Sequence, residues 1–119
     1  MIQTVVKRDG RIVGFNEQKV MAAIRKAMMH TDKGEDERLL QQITDHVAQR
    51  GDSQMGVEQI QDMVEMELMK SSRKDVAQKY IAYRHQRSVA RKAKTREVFL
   101  DIVNIKNNDV TRENANMNA

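Results

Sequence analysis

The sequence predicts an α+β fold in which a small N-terminal β-hairpin, or a three-stranded sheet, covers a four-helix bundle. An Asp9-Gly10 dipeptide separates two short apolar runs near the start of the chain, and four later segments repeat apolar residues every three or four positions. With nine Met but only two Phe and two Tyr in 119 residues, the core is expected to be mainly aliphatic. Such a core suits packed helices better than a β-sandwich.

The first element is the hairpin, whose strands are predicted at about residues 2–8 and 11–14. Asp9-Gly10 favours a two-residue turn because both residues tolerate positive φ. The facing pairs in this register are Val6 with Val13 and Lys7 with Ile12. A lone hairpin is marginally stable in water, so its apolar side is expected to lie on the helices.

Four helices are expected to follow the hairpin. Asn16 is a favourable cap for the first, since its side chain can accept a hydrogen bond from a backbone N–H of the first turn. The segment between Gly51 and Gly56 leaves room for a short strand that could join the edge of the hairpin. Apolar periodicity places the helices at about residues 17–30, 35–49, 57–70 and 73–95.

Residues 1–95 are expected to form the single domain, and residues 96–119 a flexible linker. A short apolar patch over 98–103 gives way to an Asn-rich end with few apolar anchors. The chain length agrees, since single domains typically hold about 100 to 150 residues.

The absence of Cys excludes a disulfide scaffold, a thiolate zinc site, an iron–sulfur ligand set and a cysteine nucleophile within this chain. The three His residues lack the spacing of metal ligands, so no metal site made of side chains is predicted. No apolar run approaches the roughly 18 residues that span a bilayer, and no apolar signal region opens the sequence. The chain is therefore expected to be cytoplasmic, without membrane contacts.

The formal net charge of +4 is unevenly distributed. Six basic residues and no acidic residue lie between Arg84 and Arg96. This run fits either a polyanion site or a solvated helix face partly balanced by the acidic third helix. Nucleic acid is a disfavoured partner because no aromatic interleaving, zinc spacing or helix-turn-helix accompanies the run.

A second basic cluster lies on the hairpin and the first helix. Lys7 and Arg8 precede the turn, while the spacing of Lys19, Lys26 and His30 places them on one stripe of the helix. If the hairpin folds over the helix, its two cations and Lys19 could converge on one small anion near the helix N-terminus. A solvated stripe is the alternative. No Gly-rich phosphate loop is present, so a nucleotide site would be of another kind.

Two stretches are specific enough to indicate a family. The first is Val5-Val6-Lys7-Arg8-Asp9-Gly10 with Phe15-Asn16 and Lys19, and the second is Tyr80-Ile81-Ala82-Tyr83-Arg84 with Arg87. Together covering roughly residues 2–95, they resemble the ATP-cone, a regulatory nucleotide-binding domain. The segment 105–116 is similar to the stretch that enters the catalytic part of anaerobic, class III ribonucleoside-triphosphate reductases.

The resemblance implies an allosteric domain that binds ATP, which activates reduction, or dATP, which inhibits it, with Mg²⁺ on the phosphates. The implied partners are adenine nucleotides, the catalytic domain of the same reductase and other cones in nucleotide-dependent oligomers. The catalytic cysteines and glycyl radical of the reductase would lie outside this chain, which is therefore not expected to be an enzyme by itself. Some members of the family bind two nucleotides per cone.

The resemblance also implies site residues. Carried over by position, nucleotide contacts fall on Lys7, Arg8, Asn16, Lys19 and Arg87. Helical spacing and charge add Lys26, His30, Tyr80, Tyr83 and Arg84. Val13 stands where some cones have an acidic residue that contacts adenine, while Val57 and Gln61 stand where others have Thr and His. Adenine recognition is therefore expected to rest on backbone groups and apolar packing.

Two other function classes stay open at this point. ATP-cones also occur in repressors of reductase genes, so a nucleic-acid-binding regulator is the second hypothesis. Those repressors resemble a zinc ribbon joined to a cone, however, and the absence of Cys argues against one here. The third hypothesis is a helical interaction module with Met63, Met66 and Met69 as contacts.

Overall fold

The computed structural model describes the backbone of residues 1–104 and the side chains of residues 1–95. In chain order the elements are β1 (Thr4–Val6), β2 (Ile12–Gly14), α1 (Glu17–Met29), α2 (Glu37–Arg50), β3 (Gln54–Gly56), α3 (Val57–Lys70) and α4 (Lys74–Asn104). The predicted α+β class is confirmed, with three strands and four helices. The part of the predicted flexible end at 105–119 and the side chains of the apolar patch at 98–103 lie outside the described residues.

The sheet has β1 at its centre, in the order β2-β1-β3. β1 is antiparallel to β2 and parallel to β3, so the short strand after α2 does join the edge of the hairpin. The facing pairs of the hairpin are Val5 with Val13 and Val6 with Ile12. The predicted register, with Val6 opposite Val13 and Lys7 opposite Ile12, is therefore wrong by one residue.

The hairpin loop explains the shifted register. Lys7 N donates to Arg11 O at 2.8 Å, and Gly10 N donates to Lys7 O at 2.9 Å, so the loop holds three residues. Gly10 has φ +89°, whereas no residue other than Gly has positive φ in the described range. A two-residue turn would need positive φ at Asp9 as well. A three-residue loop with Gly at its last position avoids that strain.

The helix ends follow local chemistry. Asn16 caps α1 as predicted, since its side-chain oxygen accepts from Gln18 N at 3.0 Å. Asp36 caps α2 by accepting from Leu39 N at 3.1 Å. α4 continues past the predicted end at residue 95 because no Gly or Pro interrupts the sequence before Asn104.

The chain divides into two compact units, residues 1–83 and 84–119, and the second is described as far as residue 104. The core belongs to the first unit. Its largest fully buried hydrophobic side chains are Ile24, Met28, Leu40, Val47, Val64, Leu68 and Val76. These side chains come from all four helices, and α2 packs against both α1 and α3. Within the described range, no helix combines the length and the apolar character that a membrane span requires.

Gly51 follows the last residue of α2 at a point where the chain is crowded. A Cβ at this position would lie under 3.0 Å from side-chain atoms of Ile2 and Met55, both of which are buried. Ile2 N also donates to Ala48 O at 2.9 Å. The absence of a side chain at Gly51 therefore lets the N-terminal segment and β3 pack against the end of α2.

Candidate functional site

A cleft of about 180 Å³ lies within the first unit, between the sheet, α1, α3 and the first turns of α4. Its walls are mainly apolar, with side chains that include Val5, Phe15, Val20, Val57, Ile60 and Val64. The polar side chains that line it are Lys7, Asn16, Lys19, Gln61 and Tyr80. Four of these five, all except Gln61, were predicted as site residues from the sequence.

Positive charge in the cleft comes from two elements. Lys7 follows β1 directly, and Lys19 lies in the first turn of α1, next to the Asn16 cap. The N-terminus of α1 adds the partial positive charge of its backbone N–H groups. No acidic residue is among the described residues that line the cleft. The arrangement therefore favours an anionic group beside the cationic side chains and an apolar group along the walls.

Asp9 lies in the hairpin loop between Arg8 and Gly10, and it is held in its ionised form. Arg11 N donates to Asp9 Oδ1 at 3.1 Å, and Arg11 Nε donates to Asp9 Oδ2 at 2.7 Å. The backbone hydrogen bond from Arg11 is the main cause that holds the pKa of Asp9 below its ordinary value, and the Arg11 side chain and Lys7 act in the same direction. The carboxylate thus stabilises the loop that presents Lys7 and Arg8.

Arg8 does not line the cleft but reaches from the hairpin loop to α3. Its Nε donates to Glu58 Oε1 at 3.1 Å, and its Nη2 donates to Gln61 Oε1 at 3.3 Å. Since Gln61 lines the cleft, Arg8 lies at the cleft's edge. The side chains of Arg8 and Glu58 are 39% and 54% exposed, so water and a ligand can reach this pair.

The other predicted residues lie outside the cleft lining. Lys26 Nζ donates to Tyr83 Oη at 2.7 Å and lies 4.3 Å from the centroid of its ring. His30 Nδ1 donates to the carbonyl of Lys26 at 2.9 Å. The contact of Lys26 with Tyr83 therefore ties α1 to α4, whereas the His30 hydrogen bond stays within the end of α1. Arg84 and Arg87 lie on the part of α4 that belongs to the second unit, so their assignment continues to rest on the sequence.

Gln61 lines the cleft but is not among the site residues predicted from the sequence, where it was noted only as a departure from a family pattern. It lies on the same face of α3 as Val57, Ile60 and Val64, all of which line the cleft. The sequence does carry a signal for Gln61. It is a polar residue whose neighbours four and one positions earlier and three positions later are all apolar. The cleft wall and the core share this face of the helix.

A family model described as the ATP cone domain matches residues 3–89. The chain is 32% identical over 121 residues to the anaerobic ribonucleoside-triphosphate reductase of Haemophilus influenzae and 30% identical over 123 residues to that of Escherichia coli K12. It is 41% identical over 101 residues to the vitamin B12-dependent ribonucleoside-diphosphate reductase of Thermoplasma acidophilum.

The matches differ in how much of each protein they cover. The three alignments include 97%, 100% and 79% of this chain, in the same order, but only 17%, 17% and 13% of the relatives. The chain therefore spans about a sixth of the length of these curated relatives, or less.

Proposed function

The chain belongs to the ATP-cone domain family, and from this premise we propose that its cleft binds ATP or dATP to control an anaerobic ribonucleoside-triphosphate reductase. In this proposal ATP activates the reductase and dATP inhibits it. The observation that carries the proposal is the composition of the cleft, where apolar walls from the sheet, α1 and α3 meet Lys7, Lys19 and the N-terminus of α1.

The two chemical parts of the cleft match the two parts of a nucleotide. The apolar walls would hold the flat base, which gains free energy by leaving water. Lys7 and Lys19 would hold the phosphates, and the partial positive charge at the N-terminus of α1 would add to their attraction. Tyr80 and Gln61 would supply polar contacts within the cleft. Arg8, at the edge, would add a guanidinium to the phosphate site.

We propose a wider nucleotide surface for the residues outside the cleft. The Lys26 side chain contacts Tyr83, and His30 bonds to the backbone of Lys26 at the end of α1; these three residues would contact a second nucleotide. Arg84 and Arg87 stay nucleotide contacts proposed from the sequence alone. Under this proposal the chain binds up to two nucleotides, with the higher affinity in the cleft.

Mg²⁺ is proposed to enter the site on the phosphates. The cleft lining offers amines, amides and a phenol, and no described residue of the lining carries a carboxylate. Throughout the described residues, no group of three or more His, Asp or Glu side chains could hold a metal ion. Since Mg²⁺ prefers oxygen ligands, phosphate oxygens and water would supply its coordination.

The proposed switch follows from differential affinity. An effector shifts a protein between two states only if it binds them with different affinity. ATP and dATP differ by the 2′-hydroxyl, so the two effectors must be discriminated near the ribose, while the phosphates supply affinity that both share.

The proposed partners are the catalytic region of the same reductase and other cones in nucleotide-dependent oligomers. Because the chain spans about a sixth of its anaerobic relatives, the catalytic residues would lie elsewhere in the reductase, and this chain would act as its regulatory part. The setting would be cytoplasmic, where the nucleotide pool is found. We do not propose a nucleic-acid-binding regulator, since neither the family model nor the named relatives support one.

Calorimetric titration of the 119-residue chain with ATP, dATP and GTP tests the proposal. Both adenine nucleotides should bind saturably, and Lys7→Ala should weaken both by about tenfold through loss of a charge-assisted contact. Lys70→Ala, at the exposed end of α3, is the matched control and should leave the affinity unchanged. No binding of either adenine nucleotide at millimolar concentration would overturn the proposal.

A further inference from the structure

We propose that Glu58 competes with the phosphates of a bound nucleotide for the guanidinium of Arg8. This inference rests on the proposed function, because the competing anion is the effector's phosphate. Glu58 then lowers the affinity of the cleft for charged effectors, and the Arg8–Glu58 contact opens when an effector binds.

The contact geometry identifies the competitor. Arg8 Nε donates to Glu58 Oε1 at 3.1 Å, and Arg8 Nη2 lies 3.1 Å from the same oxygen. Nη2 also donates to Gln61 Oε1 at 3.3 Å. Carboxylate and phosphate oxygens offer the same kind of acceptor to a guanidinium. The Glu58 carboxylate therefore makes the contact with Arg8 that a phosphate oxygen would make.

The position of the contact places it beside the cleft. Arg8 directly follows Lys7, which lines the cleft, and Glu58 lies three residues before Gln61, which also lines it. Residues three apart lie on the same side of a helix. A phosphate held by Lys7 would thus meet Arg8 and the negative charge of Glu58 together.

The energetics of the contact favour replacement of the Glu58 carboxylate by a phosphate at Arg8. Both side chains are more than one-third exposed, and exposed ion pairs contribute little to stability. A triphosphate carries several negative charges, so it attracts the same guanidinium more strongly than one carboxylate does and is itself repelled by Glu58. Removal of the Glu58 charge should therefore strengthen the binding of ATP, whereas uncharged adenosine should be unaffected.

The test is a double-mutant cycle, read by calorimetry with ATP and with adenosine. Glu58→Gln should tighten ATP binding by about fivefold and leave adenosine binding unchanged. Glu65→Gln removes the same charge from the same helix and should change ATP affinity by less than about twofold. In an Arg8→Gln background, the gain from Glu58→Gln should be smaller, because only the repulsion between Glu58 and the phosphates is left to remove. Thermal denaturation of each variant would verify that it folds.

The outcomes separate this inference from the proposed function. A wild-type chain that binds neither ATP nor dATP overturns the proposed function, and the inference falls with it. If the wild type binds and Glu58→Gln weakens ATP binding, leaves it unchanged or matches Glu65→Gln, the inference alone is overturned. An equal gain from Glu58→Gln with and without Arg8 would also overturn it.

Discussion

Arg73 donates two hydrogen bonds to the carboxylate of Asp75, from Nε to Oδ1 at 3.0 Å and from Nη2 to Oδ2 at 3.1 Å. Nη2 also donates to Thr31 Oγ1 at 3.1 Å and to the carbonyl of Gly34 at 3.0 Å. Arg73 is only 8% exposed. One nearly buried guanidinium therefore joins the loop between α1 and α2 to the start of α4.

Arg73→Ala should lower the free energy of unfolding by about 3 kcal/mol, because it removes this connection and leaves polar partners without their donor. Arg73→Lys keeps the charge without the forked geometry and should lower the free energy of unfolding by a smaller amount. Urea denaturation measures both changes. Arg38→Ala, on the exposed face of α2, is the control. A loss from Arg73→Ala no larger than that of the control would contradict the prediction.

The same pair predicts a pH dependence. The side-chain hydrogen bond from Arg73 is the main cause that holds the pKa of Asp75 below its ordinary value of 3.8. A carboxyl with a lowered folded pKa stabilises the fold above its unfolded pKa, and this contribution is lost as pH falls through the folded pKa. The stability of the wild type should therefore fall below about pH 4.

Asp75→Asn should flatten the decline of stability in acid, since Asn does not titrate. The measurement is the urea midpoint at several pH values between about pH 7 and pH 2, where protonation of Asp75 takes place. Asp9→Asn serves as the comparison. Asp9 also has a lowered pKa, but its carboxylate contacts Arg11 in the hairpin loop and not Arg73. An equally steep decline in Asp75→Asn would show that Asp75 does not contribute.

Gly51→Ala should destabilise the domain by about 1 to 3 kcal/mol, the typical cost of overpacking. The new methyl group would meet Ile2 and Met55 at less than 3.0 Å. Gly14→Ala is the matched control, since a Cβ at Gly14 would meet nothing within 4 Å. Thermal denaturation of the two variants should show a lower midpoint for Gly51→Ala only. Equal midpoints would show that the neighbouring side chains move aside without cost.

The predictability of the fold depended on how local each feature is. The Asn16 cap could be predicted because its hydrogen bond joins residues two apart. The hairpin register could not, because Asp9-Gly10 fits both a two-residue and a three-residue loop, and the φ sign at Asp9 selects between them. The crowding at Gly51 involves Ile2, which is far away in the sequence.

The same distinction applies to the candidate site. Helix periodicity and the hairpin indicated that Lys7, Arg8 and Lys19 could converge on one anion, and in the structure Lys7 and Lys19 line one cleft. The contact of Arg8 with Glu58 could not be predicted, because it joins residues 50 apart through the packing of the hairpin on α3. The sequence shows where the basic residues are, but tertiary packing decides which anionic group each of them contacts.

Lys19 and Lys26 lie on one stripe of α1 but have different surroundings, which predicts different effects on nucleotide binding. Lys19 lines the cleft, whereas Lys26 donates to Tyr83 Oη. Lys19→Ala should weaken the binding of the first ATP by about tenfold, because a phosphate contact is lost. Lys26→Ala should change the affinity for the first ATP by less than about twofold and should reduce the binding of a second nucleotide.

Calorimetry with a stoichiometry readout distinguishes the two lysines, and Tyr83→Phe is the control for Lys26 because it removes the hydroxyl and keeps the ring. If Lys26→Ala abolished the first binding event while Lys19→Ala did not, the primary site would lie at the Lys26–Tyr83 cluster rather than in the cleft. Equal effects of both variants on the first event would instead mean that one nucleotide spans both places. A separation of the two effects agrees with the cleft as the primary site, because apolar walls and cations line that cavity together.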